Sequence, residues 1–135
     1  MIRNKIKNKI LIVEDEILML KTLVSTLNNH GFSTLEAQDG EQGLAIALKE
    51  KPDLILLDTI MPKMDGLAML KELRKKSWGK KVPIIFLTNL SDSEKIIQAT
   101  KNYTKTLDNI AYEYLIKSDY HLSDVERPIE KSIEK

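Results

Sequence analysis

Short unbroken apolar runs alternate along this chain with apolar residues at helical spacing. Ile10-Leu-Ile-Val13 is continuous, as in a strand buried on both faces, and stops at Glu14-Asp15-Glu16. Ile17, Leu20, Leu23, Val24 and Leu27 then fall on one helical face. Asn29-His30-Gly31 supplies the stop, with Gly31 as the left-handed cap. Ser33 to Ala37 reads as a second strand. Asp39-Gly40 is turn chemistry, Leu44, Ala47 and Leu48 form a second helical stripe, and Lys51-Pro52 ends it. Asp53-Leu-Ile-Leu-Leu-Asp58 is a third buried strand with a carboxylate at its C-terminal end. The loop 59–65 leads into a helix with Leu67, Leu70 and Leu73 inward. Pro83-Ile-Ile-Phe-Leu-Thr88 is a fourth strand. Ser91 with Glu94 forms a capping box for a helix running past Thr100. Ile110 to Ile116 is the fifth strand, and Val125, Ile129 and Ile133 predict a last helix.

Strands alternating with helices through short connections predict an α/β fold. The expected architecture is a (βα)5 doubly wound five-stranded parallel sheet, a three-layer sandwich with helices on both faces. One domain over residues 1–135 is expected, with its core at about 6–127. Residues 128–135 are expected to be the end of the last helix or the start of a linker.

Composition narrows the classes. Apolar residues at 42% and charged residues at 30% exclude intrinsic disorder as the expectation. With no Cys, a disulfide framework, a thiolate metal site and cysteine catalysis are excluded, and a reducing, cytoplasmic setting is expected. No apolar run approaches the roughly 20 residues that span a bilayer, so no membrane association is expected. The N-terminal ten residues lack an apolar stretch long enough for a signal-peptide core. Net charge is +1, which marks no nucleic-acid binder. The basic clusters Arg3, Lys5, Lys7, Lys9 and Lys75, Lys76, Lys80, Lys81 precede strands one and four. No aromatic but Trp78 interleaves them, so solvated charge is expected rather than direct nucleic-acid contact. Trp78 falls at the same amino end of the sheet, and His30 and His121 lack metal-ligand company.

The chemistry gathers at the opposite end. In open α/β sheets ligands bind outside the carboxyl ends of the strands. Glu14, Asp15, Asp58, Thr88 and Lys117 all fall there. Three carboxylates converging repel one another unless a cation sits among them. Hard oxygen donors suit Mg2+, which keeps waters and phosphate oxygens as its other ligands. Lys117 offers a point charge and Thr88 a hydroxyl for phosphate oxygens. Taken singly, Asp58 is a plain cap or turn residue, and Glu14-Asp15 favours the dipole of the first helix. Thr88 is an ordinary strand-end Thr, Lys117 a solvated lysine, and Tyr114 a half-buried aromatic. Met61, Met64 and Met69 suit packing. Pro62 fixes the loop and Gly66 permits its turn.

Over about residues 6–127 the chain resembles the response-regulator receiver domains of two-component signalling, which have a flavodoxin-like fold. The segment Asp58-Thr-Ile-Met61-Pro62-Lys-Met64-Asp65-Gly66 is similar to that family's phospho-acceptor loop. Glu14-Asp15 matches its acidic pair, Thr88 its hydroxyl position, Lys117 its phosphate-contacting lysine and Tyr114 its switch aromatic. The resemblance implies that Asp58 accepts a phosphoryl group from a phosphohistidine of a sensor histidine kinase or histidine phosphotransfer protein. It implies Mg2+ held by Asp15, Asp58 and the Ile60 backbone carbonyl, with Glu14 direct or through water. The phosphate would draw in Thr88 and Lys117, and Tyr114 would turn inward. The readout would be a face of helix four, strand five and helix five, presented to a downstream protein or a covalently linked output domain. Beyond self-catalysed phosphoryl transfer and slow self-dephosphorylation, no enzyme activity is implied.

Three departures stand out. Ser118 replaces the usual proline after Lys117, where a cis bond would cost about 3–4 kcal/mol, so a trans or rearranged loop is expected. The stretch from Thr88 to Lys117 is longer than usual by roughly 7 residues, about two helical turns. Pro128 requires the first turn of its helix or a kink. Other readings are a phosphorylation-independent interaction module, a phosphohydrolase and a flavodoxin-like cofactor binder. The hydrolase lacks a second carboxylate at Thr59-Ile60, and the acidic first loop repels a phosphate without a metal.

Overall fold

The apolar runs become strands and the stripes become helices. In the computed structural model, residues 8–58, 64, 66–80, 82–88 and 112–116 are described. β1 (Lys9–Val13), β2 (Ser33–Ala37), β3 (Leu54–Asp58), β4 (Ile84–Thr88) and β5 (Tyr112–Ile116) form one parallel sheet, in the order β2-β1-β3-β4-β5. α1 (Ile17–Asn29), α2 (Gly40–Glu50) and α3 (Gly66–Leu73) connect the first four in succession, and one turn of 3-10 helix, Trp78–Lys80, precedes β4. The expected fourth and fifth helices, Ser91, Glu94, Ser118, His121 and Pro128 lie outside the described residues.

Successive strand residues point to opposite faces, so the continuous runs feed two cores. On one face Ile10, Ile12, Leu54, Leu56, Ile85 and Leu87 pack with Leu20, Leu23 and Leu27 of α1 and with Phe32. On the other, Leu11, Val13, Ile55, Leu57, Ile84 and Phe86 pack with Ala47 of α2 and Met69, Leu70 and Leu73 of α3. The sheet is therefore wound on both sides, as expected. Ile17 departs from the expected stripe: it stands at the rim, 42% exposed, beside Leu18 at 80%.

Local chemistry sets the helix ends. Gly31 takes φ 92° after α1, the left-handed cap that the sequence predicts. Asp39 caps α2 by accepting from the Gln42 amide at 2.9 Å, and Gln42 Oε1 accepts from the Gln38 amide at 3.0 Å. Lys51 closes α2 in the left-handed region at φ 49°. The amino edge of the sheet is pinned by side chains. The buried Arg74 donates through Nη1 to the Gly79 carbonyl at 2.6 Å and the Val82 carbonyl at 2.9 Å. The Lys9 amide donates to Asp53 Oδ2 at 2.7 Å, and Lys9 Nζ lies 3.6 Å from Glu50 Oε1. Lys75 pairs with Glu72 at 3.3 Å, so part of the basic charge at this end is answered locally. His30 is exposed, its Nδ1 2.9 Å from the Thr26 carbonyl, consistent with a surface role.

Candidate functional site

The strand order reverses direction between β1 and β3. β1 leads outward to β2 and β3 outward to β4, which opens a crevice at the carboxyl ends of the two central strands. Val13 of β1 stands level with Leu57 of β3, so Glu14 and Asp58 leave their strands at one height. Glu14 is fully buried, Asp58 is 4% exposed, and Asp15 is exposed. One carboxylate oxygen from each of the three lies within 4.8 Å of the others. At that spacing each ionised pair repels by about 3 kcal/mol at an effective dielectric constant near 20.

Glu14 is held on two sides. Its amide donates to the Ala37 carbonyl at 3.0 Å, which ties the end of β1 to β2. Its Oε2 accepts from the Glu16 amide at 3.1 Å, at the start of α1. The helix-dipole role and the cluster role thus coexist in one side chain. Three convergent hard oxygen donors, two of them buried, fit a divalent cation of the Mg2+ kind that keeps several ligands from water.

The other expected residues sort by strand. Asp58 is level with Leu87, and Thr88 follows as the last residue of β4. Thr88 is level with Ile116, where β5 ends, so the backbone brings Asp58 and Thr88 to one edge of the sheet. Tyr114 lies within β5, level with Phe86. Ile60 and Lys117 lie outside the described residues.

One contributor was not anticipated from the sequence. The Gly40 amide, at the first position of α2, donates to the Met64 carbonyl at 2.8 Å. Asp39-Gly40 announced a turn, but the partner it meets depends on how α2 lies beside α3. Gly43 shows how closely α2 packs on β1 and α3, since a Cβ there would stand 2.9 Å from Val13 Cγ2 and 3.0 Å from Met69 Sδ.

Comparison with known proteins agrees with this geometry. The profile described as the response regulator receiver domain matches residues 10–117. The probable transcriptional regulator ycf27 of Porphyridium aerugineum is 45% identical over 86 residues, covering 64% of this chain and 35% of that protein. The chain thus spans about a third of the length of the curated regulators of this kind that it matches. Protein PilH of Pseudomonas aeruginosa is 33% identical over 115 residues, covering 82% of this chain and 93% of PilH. A solved receiver domain of a sensor histidine kinase from Pseudomonas aeruginosa PAO1 has a magnesium ion coordinated in its active site cleft. It superposes with a TM-score of 0.79 at 26% identity, covering 95% of this chain and 98% of that one.

Proposed function

We propose that this chain, which belongs to the response-regulator receiver-domain family of two-component systems, is switched by phosphorylation of Asp58. The observation that carries this reading is the meeting of Glu14, Asp15 and Asp58 at the reversal point of the sheet. The donor is the phosphohistidine of a sensor histidine kinase or a histidine phosphotransfer protein. An Asp58 carboxylate oxygen forms a bond to phosphorus as the bond from phosphorus to the donor imidazole nitrogen breaks. Asp15 and Asp58, with Glu14 direct or through water and the Ile60 carbonyl, would hold Mg2+, whose charge offsets that of the transferring phosphoryl group. Asp58 ends β3, so a strand holds its carboxylate beside those of Glu14 and Asp15. Thr88 and Lys117 contact the new phosphoryl oxygens, and Tyr114 follows Thr88 inward. The readout face, helix four with strand five and helix five, meets a downstream protein or a linked output domain. Cytoplasmic location fits the absence of Cys; no helix among the described residues is long and apolar enough to cross a membrane.

Intact mass after incubation with Mg2+ and a small phosphodonor tests the reading. One added phosphoryl group is expected, absent without Mg2+ and absent in Asp58→Asn. No gain and no Mg2+ binding would instead favour a phosphorylation-independent interaction module. The lifetime of the phosphoryl group is a second test. Ile60 and Leu90, two residues beyond Asp58 and Thr88, carry no group able to align an attacking water. Decay is expected to be slower than in the double variant Ile60→Asn, Leu90→Glu, and equal decay would remove the claim.

A further inference from the structure

We propose that Gly40 is a positioning residue for the acidic cluster, holding in place the chain segment that follows Asp58. This rests on the reading of Glu14, Asp15 and Asp58 as a cation site. Gly40 is buried and opens α2, and its amide donates to the carbonyl of Met64, six residues beyond Asp58. Its φ lies outside the left-handed region, where Gly31 alone among the described glycines falls, so backbone conformation does not demand glycine at this position. Space does. A Cβ on Gly40 would stand 2.0 Å from the Met64 carbonyl oxygen, 2.7 Å from its carbon and 2.8 Å from Met64 Cβ. Two of those atoms are backbone, so no rotamer change relieves the clash, and the segment itself must move.

The tie is one link in a series. The Glu14 amide holds the Ala37 carbonyl at the end of β2. The Gln42 amide donating to Asp39 Oδ1 and the Gln38 amide donating to Gln42 Oε1 then fix the turn into α2. Gly40 passes this constraint to Met64. Glu14 and Met64 are thereby both referenced to the start of α2. Groups that orient metal ligands without touching the metal typically change its affinity 10–100-fold when removed.

The test uses a matched glycine at the other end of the sheet. A Cβ on Gly79 would stand 2.1 Å from the Leu73 carbonyl oxygen, a clash of the same kind beside the amino edge. Mg2+ affinity is measured by calorimetry, and Tm recorded, for the wild-type chain, Gly40→Ala and Gly79→Ala. Both variants are expected to melt lower. Only Gly40→Ala is expected to raise the Mg2+ dissociation constant, by about tenfold. Equal affinity in Gly40→Ala and wild type overturns the inference and leaves the cation site standing. Equal weakening in both variants also overturns it, because the effect is then general destabilisation. Wild-type chain that binds no Mg2+ overturns the site reading itself. Should Gly40→Ala fail to fold, amide hydrogen exchange on the wild type decides. Saturating Mg2+ is expected to slow exchange at the Gly40 amide beyond any change at Gly79, and equal slowing at the two removes the inference.

Discussion

Asp58 carries a tension between stability and use. It is nearly buried, and its carboxylate lies within 4.8 Å of those of Glu14 and Asp15. Asp58→Asn removes one charge from this group with almost no change in volume. In the absence of divalent cations the variant is expected to gain about 1–3 kcal/mol of unfolding free energy. Urea unfolding in the presence of a chelator measures it, and a loss of stability would show that bonds to the Asp58 carboxylate outweigh the repulsion. The three acidic residues were legible in the sequence because each ends or follows an apolar run, and a parallel sheet places such positions together. The buried Arg74 was not. It stands four residues after Leu70, just past the end of α3 and in line with its inward side, which was the signal available. Its partners, the Gly79 and Val82 carbonyls, exist only once the chain has turned back toward β4.

At the scale of elements, β1, β3 and β4 came within a residue of their expected bounds because burial on both faces leaves an unbroken apolar run. α1 was legible from its stripe and from Gly31, although its first turn is more exposed than the stripe implies. For α2 the stop at Lys51-Pro52 was legible, but not its left-handed geometry, which follows from the helix closing directly into β3. A non-glycine residue in that region costs roughly 1–2 kcal/mol. Lys51→Gly is therefore expected to raise stability by about 0.5–1 kcal/mol after the extra freedom glycine adds to the unfolded chain. A shift in the urea midpoint at constant slope measures this. A fall would mean that the Lys51 side chain contributes more than its backbone costs. Mg2+ affinity is expected to be unchanged, since Lys51 precedes β3 at the amino edge.

Across the whole molecule the two edges of the sheet divide the work. The carboxyl edge gathers unfavourable charge, and the amino edge holds stabilising ties through Arg74, Lys9 and Asp53. A cation that binds only the folded chain stabilises it by about 2.7 kcal/mol at a hundredfold excess over its Kd. Tm is thus expected to rise by several degrees with Mg2+, and the rise to vanish in Asp58→Asn. A melting series with and without Mg2+ checks this, and an equal rise in the variant would place the ion elsewhere. The overall architecture was legible because alternating strands and helices admit few topologies. The tie between α2 and the segment after Asp58 was not, because it depends on the distance between two neighbouring helices.

The chain's one tryptophan, Trp78, belongs to the amino edge, in the turn before β4, where it packs against the core beneath α2 and α3. Its indole is an optical reporter separated from the acidic edge by the length of the strands. Its emission is expected to follow cooperative loss of the core and to change little on arrival of a cation or a phosphoryl group. Tryptophan emission is therefore expected to report folding, and occupancy of the acidic edge needs a dye or nuclear label placed there on purpose.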